Sequence, residues 1–208
     1  MKRIIATALT TITLVLLMTG VCFAETEYEP LGRLYDEYGV LSEDEYNTVL
    51  EALNVVSDRF QVDTSVAVAN SMEAEGYDDI TAYADDLFDY YGYGTGENKD
   101  GILLVVAMEE RKWAISTHGL AIQYVTDKGN EYLQEQFLPY LSDGDYAKAF
   151  LAYAKGCDYL YAERTGQKPS DYFNQSDSYD GDQDFYDDDY DSYEPVSVGR
   201  RLEITARY

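Results

Sequence analysis

A long apolar run in the middle of the chain places the strongest constraint on how it can fold. Residues 102–108 are all apolar, and after a short charged turn residues 113–117 alternate large apolar side chains with small ones. A continuous apolar run of this length is typical of a buried strand, and the alternation is typical of a half-buried strand. The two runs therefore predict a β-hairpin that contributes to the core.

Periodic segments on both sides of this hairpin predict further elements. Ser42 and Glu45 form a capping-box pattern, and the apolar residues that follow repeat at intervals of three and four, as on one face of a helix. A β-branched alternating run precedes the second amphipathic stretch and predicts a strand. The predicted elements are a helix over residues 42–58, a strand over 61–69, a helix over about 80–91, a helix that begins near Thr126 and is bent or ended by Pro139, and a helix from Tyr146 to the Gly166 stop.

The order of these elements predicts the fold class. Helices interleaved with strands favour a layered α/β arrangement, and the hairpin makes the sheet mixed because one strand pair is antiparallel. A further short strand is expected around residues 121–125. We therefore predict a layered α/β domain over about residues 31–166, with a small mixed central sheet that contains one antiparallel hairpin.

The N-terminus has the pattern of an export signal. Lys2 and Arg3 precede an apolar stretch over residues 4–21, and a small-residue cleavage site follows at Ala24. A retained membrane anchor is the alternative, because the stretch approaches the length that spans a bilayer. We expect residues 1–24 to be a signal peptide, the mature chain to contain no transmembrane helix, and the protein to be extracytoplasmic, either secreted or in a bacterial cell envelope.

The C-terminal part changes in composition. Residues 171–194 contain ten acidic residues and five tyrosines but no lysine or arginine. Like-charge repulsion and the lack of aliphatic residues predict that residues 167–194 form an acidic, Tyr-rich disordered tail, either a solvated spacer or a segment whose tyrosines contact a partner. Residues 195–208 are interpreted as a short basic segment of a chain that is truncated or has a degenerate terminus.

Charge and cysteine content exclude some classes of protein. The formal net charge is −25 at pH 7, and a surface this acidic repels the phosphates of nucleic acids, so no nucleic-acid partner is expected. Removal of the signal peptide would leave Cys157 as the single cysteine, so the fold cannot depend on an intramolecular disulfide. Cys157 lies on the apolar side of a helical pattern and is predicted to be a buried structural thiol.

The glycine- and acid-rich loop before the hairpin is a candidate site. Gly92 and Gly94 begin a dinucleotide-binding pattern, but Glu97 occupies the position of its last glycine, and the acids of the loop would repel phosphate. Glu97, Asn98 and Asp100 instead offer the oxygen ligands that Ca²⁺ prefers, in a weak site with a Kd of about 10⁻⁴–10⁻³ M. The alternative is a solvated turn whose glycines provide backbone freedom.

The residues available for catalysis are few. His118 is the single histidine, and the chain contains no Gly-x-Ser-x-Gly elbow and no pair of histidines spaced to bind a metal. His118 is therefore interpreted as a surface or packing residue at the end of the hairpin. Metal-assisted hydrolysis that uses carboxylates alone is chemically permitted, but the sequence does not select it.

Five short motifs occur in a specific order, at residues 35–42, 100–104, 111–119, 126–127 and 143–146. Together they resemble the TPM domain family, which is found in exported bacterial proteins and in a thylakoid-lumen protein involved in photosystem II repair. The resemblance covers about residues 31–166. It implies a three-layer α/β/α sandwich in which helices cover both faces of the sheet.

The resemblance also implies acidic residues near one sheet edge, which bind Ca²⁺ in some members of the family. Carried over by position, the implied ligands are Asp36, Asp100 and Asp127, and Glu97 and Asn98 are added from the chemistry of the loop. Relatives often have Gly-x-Glu after the second hairpin strand, whereas this chain has Ala121 in place of the glutamate, so one carboxylate is missing.

These observations lead to one main hypothesis and two alternatives. The main hypothesis is a non-catalytic, exported TPM domain that binds Ca²⁺ weakly and has an accessory, assembly or quality-control role for envelope or membrane proteins. The first alternative is a metal-dependent acid phosphatase of low specificity, an activity attributed to a family member. The second is an acidic matrix protein that acts through its tail.

Overall fold

The computed structural model describes residues 31–175 and 206–207, and its centre is a mixed sheet. The strands follow one another across the sheet in chain order, β1 to β5. The first three are parallel, and β3, β4 and β5 are joined by antiparallel pairing. The strands are β1 (Leu34–Asp36), β2 (Asp63–Ala69), β3 (Gly101–Ala107), β4 (Lys112–His118) and β5 (Ala206–Arg207).

Helices pack on both faces of this sheet. They are α1 (Glu43–Phe60), α2 (Ile80–Tyr90), α3 (Ala121–Tyr124), α4 (Asp127–Asp143), α5 (Tyr146–Thr165) and α6 (Tyr172–Gln175). Every residue of β3 is buried, and its side chains alternate between two separate apolar clusters. The predicted three-layer α/β/α sandwich with one antiparallel hairpin is therefore confirmed.

The two faces of the sheet differ in how they are covered. Ile102, Leu104 and Trp113 point to a large cluster formed with α1, α4 and α5, which we call the three-helix face. Leu103 and Val105 point to a smaller cluster formed with α2, which we call the α2 face. Because α2 packs against β3 and β4, the part of this face above β1 and β2 is completed by side chains from loops.

The two parallel connections have opposite hands. The chain steps from β1 to β2 through α1 on the three-helix face, and from β2 to β3 through α2 on the other face. Both steps run in the same direction across the sheet, so placing their helices on opposite faces makes one of the two connections left-handed. About 98% of such connections are right-handed. As a result, α2 is the only one of the described helices that covers its face of the sheet, and the other helices pack on the three-helix face.

Local signals fix several helix ends. The predicted capping box begins α1, because the Ser42 backbone N–H donates to Glu45 Oε2 at 2.8 Å and the Glu45 N–H donates to Ser42 Oγ. The hydrogen bonds from Ser42 lower the pKa of Glu45. Pro139 does not end the predicted third helix, since α4 continues to Asp143.

Two elements differ from the sequence-based predictions. The extra strand expected around residues 121–125 is wrong, because this segment is the short helix α3, in which the N–H groups of Tyr124 and Val125 donate to the carbonyls of Leu120 and Ala121. The strand β1 was not predicted. Its three residues are too few to show a period-two pattern.

The folded domain continues beyond Gly166, where the acidic tail was predicted to begin. Buried Asp158 accepts from the Ser170 N–H at 2.6 Å and from Arg59 at 2.9 Å, and α6 then places Phe173 in the core. Burial raises the pKa of Asp158 against the opposing effect of these two contacts. The predicted signal peptide and the remainder of the tail, residues 176–194, lie outside the described residues, and the same is true of most of the basic segment.

The structure places Cys157 as predicted. Its thiol is fully buried beside Tyr153 and Tyr161 of α5, and burial raises its pKa well above the ordinary value. A thiol held in this neutral form is a packing group. In the described parts of the chain, no helix combines the length and apolar character needed to cross a membrane.

Candidate functional site

The loop at residues 92–101 lies at the end of the sheet where β2 and β3 begin. Thr95 and Asp100 close it, because the Thr95 N–H donates to the Asp100 carbonyl at 2.9 Å and the Asp100 N–H donates to the Thr95 carbonyl at 2.8 Å. Asp63 fixes the loop to β2 by accepting from the Gly94 N–H at 2.9 Å, and its second oxygen accepts from Arg33 Nε at 3.0 Å. The loop is thus a rigid, hydrogen-bonded part of the domain.

The Asp100 side chain connects this loop to the end of β4. Its Oδ1 oxygen accepts from the Leu120 N–H at 2.7 Å. Gly119 has a φ of +57°, and a Cβ at this position would lie 2.1 Å from Asp100 Oδ1 and 2.9 Å from the Asn98 carbonyl oxygen. A side chain at residue 119 is therefore excluded both by conformation and by space.

The structure brings three of the five predicted calcium ligands into one turn. Glu97 and Asn98 are exposed at its tip, and Asp100 is half-buried at its base. Asp100 Oδ2 makes no hydrogen bond within the described residues. This turn therefore presents oxygen atoms of the kind that were predicted.

Asp36 lies at the opposite end of the sheet. It is level with Val68 near the end of β2, whereas Asp100 immediately precedes Gly101, which is level with Asp63 at the start of β2. The two Asp36 oxygens accept from the N–H groups of Gly39, Val40 and Leu41 at 2.8–3.1 Å. The structure thus gives Asp36 the role of closing the turn after β1 and does not bring it together with Asp100.

The remaining predicted positions contribute differently. Asp127 is exposed in the first turn of α4, and none of the described contacts joins it to the turn at residues 97–100. Ala121, the position for which the family resemblance implies a glutamate, is fully buried on the three-helix face. Across residues 31–175 and 206–207, no group of three or more His, Cys, Asp or Glu side chains is placed to hold a metal ion. The calcium site stays a prediction.

His118 contacts α2 in two ways, by ring stacking and through a short chain of polar side chains. Its ring stacks on Phe88 with centroids 3.8 Å apart and an interplanar angle of 6°. Its Nε2 lies 3.2 Å from Ser116 Oγ, which donates to the buried Asp85 carboxylate at 2.6 Å. The chain joins β4 to α2, in agreement with the interpretation of His118 as a packing residue.

Glu110 has a comparable structural role at the other end of the sheet. It accepts hydrogen bonds from the Ser71 hydroxyl and from the N–H groups of Met72 and Glu73, which joins the hairpin turn to the loop after β2. Partial burial tends to raise the pKa of Glu110, but these hydrogen bonds outweigh it and lower the pKa. In the sequence, Glu110 is recognisable only as part of the charged turn of the hairpin.

A groove on the α2 face was missed by the sequence reasoning. It has a volume of about 600 Å³ and is lined by residues of α2 and of the segments that flank α2. We call it the tyrosine groove; its lining residues are Glu75, Tyr77, Tyr83, Asp86, Leu87, Asp89, Tyr90 and Tyr91. The apolar stripe predicted for α2 included Tyr83, Leu87 and Tyr91. Tyr83 is buried in the cluster on this face, whereas Leu87 and Tyr91 are only partly buried.

The charged residues that line the tyrosine groove are all acidic. Tyr77 donates to Asp86 Oδ2 at 2.8 Å, and its ring lies 5.0 Å from that of Tyr83. Burial is the main cause that raises the pKa of Tyr83, and the negative charges of Glu75 and Glu37 raise it further. The Tyr83 hydroxyl is therefore neutral.

The fold places the protein in the class of three-layer α/β/α sandwiches, and several solved structures share this fold. The N-terminal domain of a protein from P. gingivalis matches with a TM-score of 0.56 and 19% identity, over 65% of this chain and 85% of that chain. The N-terminal domain of cg2496 from Corynebacterium glutamicum has a TM-score of 0.51 and 20% identity, over 74% and 90%. BA42 from Bizionia argentinensis has a TM-score of 0.51 and 15% identity, over 59% and 82%.

The sequence itself identifies the family. Residues 34–159 match the model of the TPM domain, which covers more than half of the chain. The protein belongs to the TPM domain family, as the motif order suggested. No curated protein matches the chain significantly.

We predict that Gly119→Ala destabilises the domain more than Gly96→Ala. Both glycines have positive φ values, but an added Cβ meets nothing within 4 Å at Gly96 and collides with Asp100 at Gly119. The conformational cost is about 1 kcal/mol at each site, and the overlap at Gly119 adds about 1–3 kcal/mol. Urea unfolding of the two variants measures the difference, and equal free energies of unfolding would contradict the role assigned to Gly119.

Proposed function

We propose that this TPM domain is an exported binding module with an accessory, assembly or quality-control role for cell-envelope proteins. The observation that carries the proposal is the tyrosine groove, an open surface of aromatic rings and carboxylates on a rigid domain. Tyrosine is enriched at protein interfaces because its ring is amphipathic and loses little conformational freedom on binding.

The positions of other carboxylates support a binding role. Asp36, Asp63, Asp100 and Glu110 accept hydrogen bonds from backbone N–H groups of neighbouring turns. Charge-assisted bonds of this kind hold loops firmly on a sheet. These acids therefore stabilise the scaffold that presents the groove.

Export is proposed from the N-terminal sequence. Lys2, Arg3, the apolar stretch at residues 4–21 and the small residue Ala24 have the order of a signal peptide. An extracytoplasmic location would bring the domain to envelope and membrane proteins as partners.

Weak calcium binding is the second part of the proposal. It is supported by the exposed oxygens of Glu97 and Asn98 and by the Asp100 Oδ2 oxygen, all within one turn. Three ligands from one turn leave several coordination positions to water, which is in keeping with a Kd of about 10⁻⁴–10⁻³ M.

The binding role can be tested by photo-cross-linking in the native host. Benzoylphenylalanine in place of Tyr90, which is 55% exposed in the groove, is expected to cross-link to discrete envelope proteins. Benzoylphenylalanine in place of Ile122, which is 46% exposed on α3, is the matched control and is expected not to do so. Equal cross-linking at the two positions, or none at Tyr90, would argue against the groove as a binding surface. Hydrolysis of p-nitrophenyl phosphate that is lost in Asp100→Asn without unfolding would favour the phosphatase alternative.

The calcium site can be tested by amide chemical shifts during a calcium titration. Residues 95–101 are expected to shift with a midpoint of about 10⁻⁴–10⁻³ M. Glu97→Gln removes one ligand and is expected to weaken binding, whereas Glu131→Gln, on the exposed side of α4, makes the same charge change and is expected to have no effect. Shifts that are absent, or that respond equally to both variants, rule out a site at this turn.

A further inference from the structure

We propose that the tyrosine groove binds an extended, positively charged segment of a partner protein, through the arginine or lysine side chains of that segment. This inference rests on the proposed function of the groove as a binding surface. It adds the chemistry of the partner, which follows from the charge and the aromatic character of the lining.

The charges of the groove favour a cation. Three of the eight lining residues are carboxylates, namely Glu75, Asp86 and Asp89, and none of the eight is basic. Lys99 already places its ammonium 3.4 Å from Asp89 Oδ1, with 48% and 60% of the two side chains exposed. An exposed pair of this kind contributes about 0–1 kcal/mol, so a partner's cation could replace Lys99 at little cost.

The aromatic rings favour the same kind of ligand. Tyr77 and Tyr83 form one pair with centroids 5.0 Å apart, and because Tyr83 is buried, Tyr77 is the ring of this pair that a ligand can reach. Tyr90 and Tyr91 form a second pair at 5.0 Å with an interplanar angle of 88°. A guanidinium or ammonium group above a tyrosine ring gains about 0.5–1 kcal/mol at an exposed site and about 2 kcal/mol when it is desolvated. The chain itself contains such a contact, with the Arg59 guanidinium 4.8 Å from the centre of the Phe60 ring.

The shape of the groove fits a long side chain better than a point charge. Leu87 and the tyrosine rings provide apolar surface beside the carboxylates, and the volume is about 600 Å³. Arginine and lysine bury their aliphatic stems on apolar surface while the charged end reaches a polar group. An open groove of this composition therefore suits an extended segment in which several such side chains lie side by side.

The acidity of the whole chain is the competing explanation for any binding of a basic peptide. The formal net charge of −25 would attract such a peptide without a specific site. The experiment must therefore compare variants of equal net charge that differ in where the charge is removed.

Fluorescence anisotropy with the full chain makes this comparison. The probe is a labelled peptide of alternating glycine and arginine, and the control peptide contains citrulline, which keeps the shape of arginine without its charge. The groove variant is Glu75→Gln, Asp86→Asn and Asp89→Asn. The matched control is Glu131→Gln, Glu135→Gln and Asp143→Asn, three exposed acids of α4. About 0.15 M salt screens long-range attraction.

We expect the arginine peptide to bind at least about tenfold more tightly than the citrulline peptide, which corresponds to 1.4 kcal/mol. The groove variant should lose about tenfold or more in affinity, and the α4 variant less than about twofold, since its acids do not touch the groove. Tyr90→Ala should weaken binding about two- to fivefold. Tyr38→Ala, which removes a tyrosine that is 51% exposed outside the groove lining, should not. Thermal unfolding of each variant verifies that it is folded.

Three results would overturn the inference. Equal losses in the two charge variants would show that binding depends on net charge alone. Equal affinity for the arginine and citrulline peptides would show that the groove does not select charge. If neither peptide binds but Tyr90 still cross-links to envelope proteins, the basic partner is rejected and the proposed binding function stands. If neither peptide binds and Tyr90 does not cross-link, both the basic partner and the proposed binding function are rejected.

Discussion

Burial of β3 on both of its faces is the constraint on which the rest of the structure depends. All seven residues of this strand are buried, so apolar side chains leave the sheet in both directions and each direction needs its own layer of helices. Each large side chain buried in this way contributes about 1.5–3 kcal/mol before entropy is subtracted. The three-helix face provides most of the core. The opposite face has small residues such as Ala107 and Ala114, which allow α2 to pack close to the sheet.

The uneven cover of the two faces explains where a binding surface arises. Because α2 packs on β3 and β4, the region above β1 and β2 is completed by tyrosines and other side chains from the loops that flank α2. Tyr77, from the loop before α2, is one of these side chains, and it packs on the same cluster as Tyr35 of β1. A surface of phenol rings tolerates water at its edge, so it can remain open where an aliphatic surface would have to be covered. The tyrosine groove is thus a consequence of the topology.

Much of the fold was predictable from the sequence, because helices and strands leave local periodic patterns. The hairpin, the capping box at Ser42 and the ends of α2 and α5 follow from residues close together in the chain. The strand β1 and the helix α3 were not predictable in this way, since three or four residues carry too little periodic signal. The motif order was enough to identify the TPM domain family, which the match over residues 34–159 establishes.

The candidate site was harder to predict, because it depends on where distant segments meet. Asp36 is the last residue of β1 and Asp100 immediately precedes β3, and parallel strands put these positions at opposite ends of the sheet. The tyrosine groove was not predictable from the sequence for a similar reason. Tyr83, Leu87 and Tyr91 have the spacing of core residues, but only Tyr83 is buried, and the sequence pattern does not show that Leu87 and Tyr91 stay partly exposed beside it.

The most direct measurement is an amide chemical-shift map of the full chain with the arginine-containing peptide bound. The account predicts that the largest shifts occur at residues 75–77 and 86–91, which contain most of the lining of the tyrosine groove, with small shifts on α4 and α5. Shifts that are largest on the three-helix face, or that are spread evenly over the exposed acids, would contradict it.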